Sequence, residues 1–462
     1  MTTDELREQL LFSPKNGYTR LTEDQRMEME GYCRRYAAFM DVCKTEREAT
    51  AWTVLETQKR GFVPYTPGMD VKPGDRIFYN NRGKQIMLAV IGSEPLSAGA
   101  NICAAHMDSP RMDVKPNPLY EDSEIAYFKT HYYGGIKKYQ WTAIPLALHG
   151  AVTKRNGQTV DVVIGEDPAD PVFYISDLLP HLASKQMSKS LSEGITGEQL
   201  NLISGSRPYG DVSEKDAVKL NVMKLLNDKY GMVEADFLSA ELSAVPAFTA
   251  RDVGLDRSLI ASYGHDDRVC SYPSLTALID VKAPVHTVMA VLADKEEIGS
   301  EGNTGMQSQV YFDIIAELAA SFGVSDAIVR ANSKCLSSDV NAAFDPNFPE
   351  PMEKMNSCYI NGGVVITKYT GARGKSGSND ASAEFCGYVR NLLDDAGVVW
   401  QTGELGKVDA GGGGTVAKYI ASKNIDVIDL GVPVLSMHSP YELVSKVDVY
   451  MTHLAIKAFF EA

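Results

Sequence analysis

Val285-His286-Thr287-Val288-Met289-Ala290-Val291-Leu292-Ala293-Asp294-Lys295-Glu296-Glu297-Ile298-Gly299-Ser300 is a short apolar run, rich in β-branched residues, that stops at two adjacent carboxylates and a glycine. An apolar run of that length reads as a strand buried on both faces, the habit of parallel sheets. In open α/β sheets ligands bind beyond the carboxyl ends of the strands, so the Glu296-Glu297 pair stands where chemistry is done. Asp-Lys-Glu-Glu is also ordinary surface composition, and the rest of the chain decides between the two readings.

Other apolar runs end in the same way. Asn101-Ile102-Cys103-Ala104-Ala105 delivers His106-Met107-Asp108. Side chains two apart share a face of an extended segment, so His106 and Asp108 point together and Asp108 can hold the imidazole in one tautomer. Leu259-Ile260-Ala261-Ser262-Tyr263 leads into Gly264-His265-Asp266-Asp267-Arg268, Cys335-Leu336-Ser337-Ser338 runs to Asp339, and Gly431-Val432-Pro433-Val434-Leu435-Ser436-Met437 ends at His438. A lone histidine is ordinarily a satisfied structural residue, and a lone loop aspartate a cap or turn. Recurring at successive strand ends, these residues and the glutamate pair make the His, Asp, Glu, Asp, His set suited to a pair of divalent metals. Such a pair needs a bridging carboxylate, terminal ligands and a base for the attacking water, and the chain offers all of these.

The stretches between these strands alternate with helical ones. Thr22-Glu23-Asp24-Gln25 and Thr45-Glu46-Arg47-Glu48 fit the capping box that opens a helix. Arg76-Ile77-Phe78-Tyr79 and Gln85 to Ile91 flank Asn81-Arg82-Gly83 as a hairpin. Helical stretches follow Asp267 and Ser300, and Gly363 to Lys368 and Ile425 to Leu430 are further buried-strand runs. The alternation predicts a three-layer α/β/α domain made of 1–113 and 247–462. Residues 114–246 read as an insert of mixed strands and loops. It is rich in tyrosine and includes strand-like Thr159 to Ile164 and Met232 to Phe237, with too many apolar pieces to stay disordered.

Two glycine-rich stretches are set aside. Gly371-Ala372-Arg373-Gly374-Lys375-Ser376 has its first glycine too close to Gly374-Lys375 for a phosphate loop. Ala410-Gly411-Gly412-Gly413-Gly414-Thr415 lacks the lysine, and its glycines are expected to let backbone approach the active centre before a helix begins at Thr415. No Gly-x-Ser-x-Gly elbow supports a serine hydrolase.

At 462 residues the chain predicts more than one domain. Its net charge of −15 argues against nucleic acid or an anionic membrane as partner. The 7 scattered cysteines, without C-x-x-C spacing, read as reduced thiols, and no stretch has the apolar length of a membrane span. A cytoplasmic protein is expected.

In that order and spacing, Ala105-His106-Met107-Asp108-Ser109-Pro110, Gly264-His265-Asp266-Asp267-Arg268, Asp294 to Ser300, Ser338-Asp339 and Leu435-Ser436-Met437-His438-Ser439 resemble the aspartyl aminopeptidase family over nearly the whole chain. The resemblance implies an inserted dimerisation domain and a dinuclear metallo-aminopeptidase acting on peptides with a free N-terminus. It implies two divalent ions, usually zinc with manganese or cobalt tolerated, bridged by Asp266. One ion would also take His106 and Asp339 and the other Glu297 and His438, while Glu296 serves as general base. It further implies a homo-oligomer, a twelve-subunit shell built from dimers, in which His181 reaches a neighbour's active site. Lys368 falls where the family places a lysine near the substrate pocket, suiting an acidic N-terminal residue. Another dinuclear hydrolase, a carboxypeptidase or deacylase, would use much the same ligands, and a non-catalytic shell protein is the rival from a different class.

Overall fold

The computed structural model describes residues 1–13, 15–211 and 214–462. Four parallel strands form its centre, in the order Thr287–Ala293, Ala100–His106, Lys334–Ser337 and Asp426–Gly431. Gln85–Val90 and Val364–Thr367 pair antiparallel on either side, and the sheet extends to nine strands. The opening stretch is indeed a central strand, and period-two alternation divides it between two cores. Val288, Ala290 and Leu292 pack with the helices Glu23–Val42, His265–Asp280, Ala383–Asp395 and Lys446–Glu461. Met289, Val291 and Ala293 pack against Val310–Ser321, Asp326–Asn332 and Ala417–Ala421. Helices cover both faces, which is the three-layer α/β/α arrangement the alternation predicts.

The helices Glu23–Val42 and Glu46–Gln58 open on the predicted capping boxes, Thr22 with Gln25 and Thr45 with Glu48. The hairpin is present as Arg76–Asn81 paired with Gln85–Val90.

Residues from Arg111 to Pro246 build a second, seven-stranded sheet. Ala240–Pro246 pairs with both Arg111–Asp122 and Pro145–Thr153, so the sheet closes on itself around a core that includes Phe128, Trp141, Leu146 and Phe237. Met232 to Phe237 is not a strand. Glu234–Ser239 is a 3₁₀ helix whose entry is fixed by Asp236 accepting from the Val233 amide, a local bond that outcompetes the alternating pattern. Val432 to Leu435 also leaves the central sheet, because Pro433–Leu435 joins a small third sheet with Asn341–Ala342 and Glu442–Ser445.

The glycine run approaches a different segment from the one expected. A Cβ on Gly412 would lie 2.4 Å from the backbone of Ala372, so these glycines let 410–414 pack on the loop at 371–376. The helix beyond them is Ala417–Ala421. The seven cysteines form no disulfide, and among the described residues no helix is long and apolar enough to cross a membrane.

Candidate metal centre

Five of the expected residues come together: His106, Glu297 and Asp339 follow the central parallel strands, and Asp266 and His438 follow the strands Leu259–Ser262 and Pro433–Leu435 of the third sheet. His106 ends its strand and pairs in register with Ala293, two residues before Lys295 turns the chain into Glu296 and Glu297. His106 Nε2 lies 3.3 Å from Asp266 Oδ1 and 3.8 Å from Asp339 Oδ1. On the far side of Asp266, His438 Nε2 lies 3.1 Å from its Oδ2 and 3.4 Å from Glu297 Oε2. One carboxylate thus offers each of its oxygens to a different imidazole. Asp267 was not singled out from the sequence, yet its carboxylate falls within 4.8 Å of ligand atoms of His106 and Asp339.

Acceptor-only partners fix both tautomers. His106 Nδ1 is 3.0 Å from the Asp108 carbonyl and 3.2 Å from its Oδ1, so it carries the proton and presents Nε2 to the cluster. His438 Nδ1 is 2.7 Å from the Gly135 carbonyl and does the same. Asp108 does more than orient an imidazole. Its carboxylate also accepts the amides of Glu296 at 3.1 Å and Glu297 at 3.2 Å and the Tyr133 hydroxyl at 2.8 Å. Glu442 is a second such anchor, taking the amide of His438 at 2.7 Å and of Asp266 at 3.0 Å. The loops that present these ligands are sharply bent, with Lys295, Ser300, Ser436 and His438 all at positive φ. Gly264, at φ +74°, has no room for a side chain, because a Cβ would meet the buried Arg268 guanidinium at 1.6 Å. The Asp266-Asp267 peptide is cis.

Electrostatically the cluster is an excess of buried carboxylate. Burial, then the negative charge of Asp339, Asp108 and Asp266, pushes Glu296 up to about 8. Glu297 is also raised well above its ordinary value, by burial and then by Asp266. Burial also acts on Asp266, but the hydrogen bonds and charges of the two histidines prevail and hold its carboxyl well below the usual range. His438 is driven up to about 10 because Asp266 and Glu297 outweigh its burial. Glu297 Oε1 and Asp267 Oδ1 are buried without a hydrogen-bond partner. Orphaned anionic oxygens cost free energy unless a cation meets them. The donor set, two imidazoles that a metal would hold in their neutral form and several carboxylates at one focus, fits divalent metal.

Two expected residues lie apart from the cluster. Val364–Thr367 runs antiparallel to Asp426–Gly431 and so carries Lys368 away from the edge where the ligands gather. The Lys368 ammonium is exposed, 2.5 Å from Asp380, and lines a cavity of about 420 Å³ with Trp400, Arg390 and Cys386. His181 sits exposed on the 3₁₀ turn Pro180–Leu182 of the second sheet's region. Glu442, Tyr133 and Gly135 were missed because each acts through a backbone group or a second residue, and no spacing in the sequence marks such contacts.

Residues 39–460 match the model of the family described as aminopeptidase I zinc metalloprotease (M18). A curated relative from Clostridium acetobutylicum, named a probable M18 family aminopeptidase 1, is 48% identical, with 97% of this chain and 98% of the relative covered. The crystal structure of an M18 aminopeptidase from Thermotoga maritima superposes with a TM-score of 0.93 at 43% identity, covering 97% of this chain and 99% of that one. A more distant structure, the mApe1 dodecamer of yeast, shares the fold at a TM-score of 0.74 and 20% identity, covering 92% and 95%.

Proposed function

This chain belongs to the M18 family of zinc aminopeptidases, and on that premise we propose that it removes acidic N-terminal residues from peptides by a two-ion mechanism. The observation that carries the reading is Asp266, whose two oxygens face His106 and His438 separately. His106 and Asp339 would complete one site and Glu297 and His438 the other, with Asp267 behind the first. Two bound zinc ions would polarise the scissile carbonyl and acidify the attacking water.

Glu296 is left free of that set and acts as the general base. Its amide is tied to Asp108 and its side chain is partly buried beside the cluster, where it can accept a proton from water and return it to the leaving amine. Asp108 keeps His106 aimed and the Glu296-Glu297 turn in place. The acidic preference rests on the family resemblance, which assigns it to Lys368; in this chain the ammonium is held by Asp380 apart from the ligand edge, so a substrate carboxylate would have to reach it from the cluster and displace Asp380.

Residues 1–113 and 247–462 form the catalytic domain in this proposal, and 114–246 the assembly domain of a homo-oligomer, a dodecamer built from dimers. The stretch around His181 supports it, since Leu178, Leu179, Leu182, Met187 and Leu191 are all more than half exposed. An apolar patch of this kind marks a surface made for contact, and His181 would ride with it into a neighbour's active site.

A panel of aminoacyl and N-blocked peptides, assayed with zinc content measured on the same sample, tests the reading. Release of N-terminal Asp and Glu at two zinc ions per chain is expected. Equal cleavage of blocked peptides, or full turnover by verified metal-free protein, would overturn it.

A further inference from the structure

The strand Ile125–Tyr133 and the two glycines that follow it reach from the closed sheet into the catalytic centre. Tyr133 is buried, and its hydroxyl donates to Asp108 Oδ2 at 2.8 Å. The ring is held in turn by Arg111, its cross-strand partner, whose guanidinium stacks on it with Cζ 4.1 Å from the ring centre. Arg111 is itself fixed by Glu46 at 2.8 Å and Asp113 at 2.9 Å. The next residue, Gly134, runs past Glu297, and a Cβ there would lie 3.2 Å from Glu297 Oε2. Gly135 then offers its carbonyl to His438 Nδ1 at 2.7 Å. Three consecutive residues thus touch Asp108, Glu297 and His438, which belong to both halves of the cluster.

We propose that Tyr133 is a positioning residue for the zinc centre, and that 133–135 clamps the centre from the closed sheet. Asp108 distributes its two oxygens among His106, the Glu296 and Glu297 amides and Tyr133. Without the hydroxyl, one carboxylate oxygen loses its side-chain donor, and the carboxylate can rotate away from His106 and from the amides that hold the base and its neighbouring ligand. Outer partners of metal ligands commonly set affinity by about 10- to 100-fold. The clamp makes the second sheet part of the chemistry as well as a scaffold beside it.

The proposal rests on the two-ion reading, and Tyr133→Phe tests it separately. That change keeps the ring and its stack on Arg111 and removes only the hydroxyl. The expected result is a folded chain whose zinc affinity, read by competition with a chelator, falls by about 10-fold or more. Its kcat should fall while KM stays near the wild-type value. In an Asp108→Ala background the same change should add nothing, because two residues acting through one path are not additive. Tyr263→Phe is the control, a buried tyrosine whose hydroxyl serves a backbone carbonyl at Pro110, and it should leave zinc affinity unchanged. Wild-type affinity and kcat in Tyr133→Phe would overturn the proposal. So would additive losses with Asp108→Ala, or a Tyr133→Phe chain that fails to fold, since the hydroxyl would then serve the fold and not the site. A wild-type chain that binds a single ion would instead sink the two-ion reading, whatever Tyr133 does.

Discussion

The two large sheets of this molecule are built to different rules. In the nine-stranded sheet Gln85–Val90, Ala100–His106 and Thr287–Ala293 are buried at every position, because helices lie on both faces. In the closed sheet, Thr159–Ile164 and Ile125–Tyr133 alternate between buried and open positions, because only the inward face is covered. A sheet buried on both sides has only its strand ends to offer, so its chemistry gathers at one edge. A sheet buried on one side keeps positions of its other face open along the length of its strands.

The sharpest way to probe the first rule is at the edge itself. Glu296→Gln should retain zinc and lose turnover by roughly 10²- to 10⁴-fold, the scale of a positioned proton-transfer group. Glu297→Ala should lose zinc together with activity. Turnover measured beside metal stoichiometry separates the two, and the assignment fails if it is Glu296→Gln that sheds metal.

Thermal or denaturant unfolding compares the sheets directly. Leu88→Ala, at a fully buried position of the central sheet, should cost about 2–5 kcal/mol. Val163→Ala, on the open face of the other, should stay within about 0.5 kcal/mol. Similar losses at both positions would erase the distinction.

A smaller effect is expected at Lys368. Lys368→Met should reduce kcat/KM for acidic N-terminal residues by no more than about fivefold relative to neutral ones, the range of an exposed ion pair. An unchanged ratio would remove Lys368 from the specificity pocket.

The smallest effect concerns the joint between the sheets. His149, on the closed sheet, is flanked by Glu48 at 2.7 Å and Glu166 at 2.9 Å, with Lys44 2.7 Å from Glu166. Burial lowers the His149 pKa, but its hydrogen bonds to Glu166 and Glu48 more than reverse that, and it stands above 6.5. Its contribution to stability is therefore complete below 6.5 and declines as pH rises through the folded value. The two glutamates are lowered despite their burial, so their share is present above 4.5 and lost as pH falls. Stability against pH, compared with His149→Gln, should show the alkaline decline only in the wild type.

The parts of this architecture that were legible in the sequence are those encoded locally. An apolar run followed by His, Asp or Glu announces a strand and its edge, and the capping boxes at Thr22 and Thr45 announce their helices. The grouping of His106, Asp266, Glu297, Asp339 and His438 could be anticipated because each follows such a run. Glu442 could not. It looks like any acidic residue at a strand start, and its partners are backbone amides, one of them 176 residues away. Tyr133 was hidden among the tyrosines of its region, since only the closed sheet brings it to Asp108. Met232 to Phe237 misled because a side-chain bond between near neighbours overrode its alternation. The glycines at 411–414 were rightly taken as close-approach residues, but the segment they approach is set by tertiary packing.

The grip of Glu442 on two separate loops has a meaning for synthesis. A ribosome makes residues 1 to 441 before it makes this one, and until then the amides of Asp266 and His438 have no common anchor. Early in translation the nascent chain can form its strands and its imidazole at residue 106 without holding a working centre. One side chain thus ties two ligand-bearing loops together, and neither loop is fixed until Glu442 has been made and folded into place.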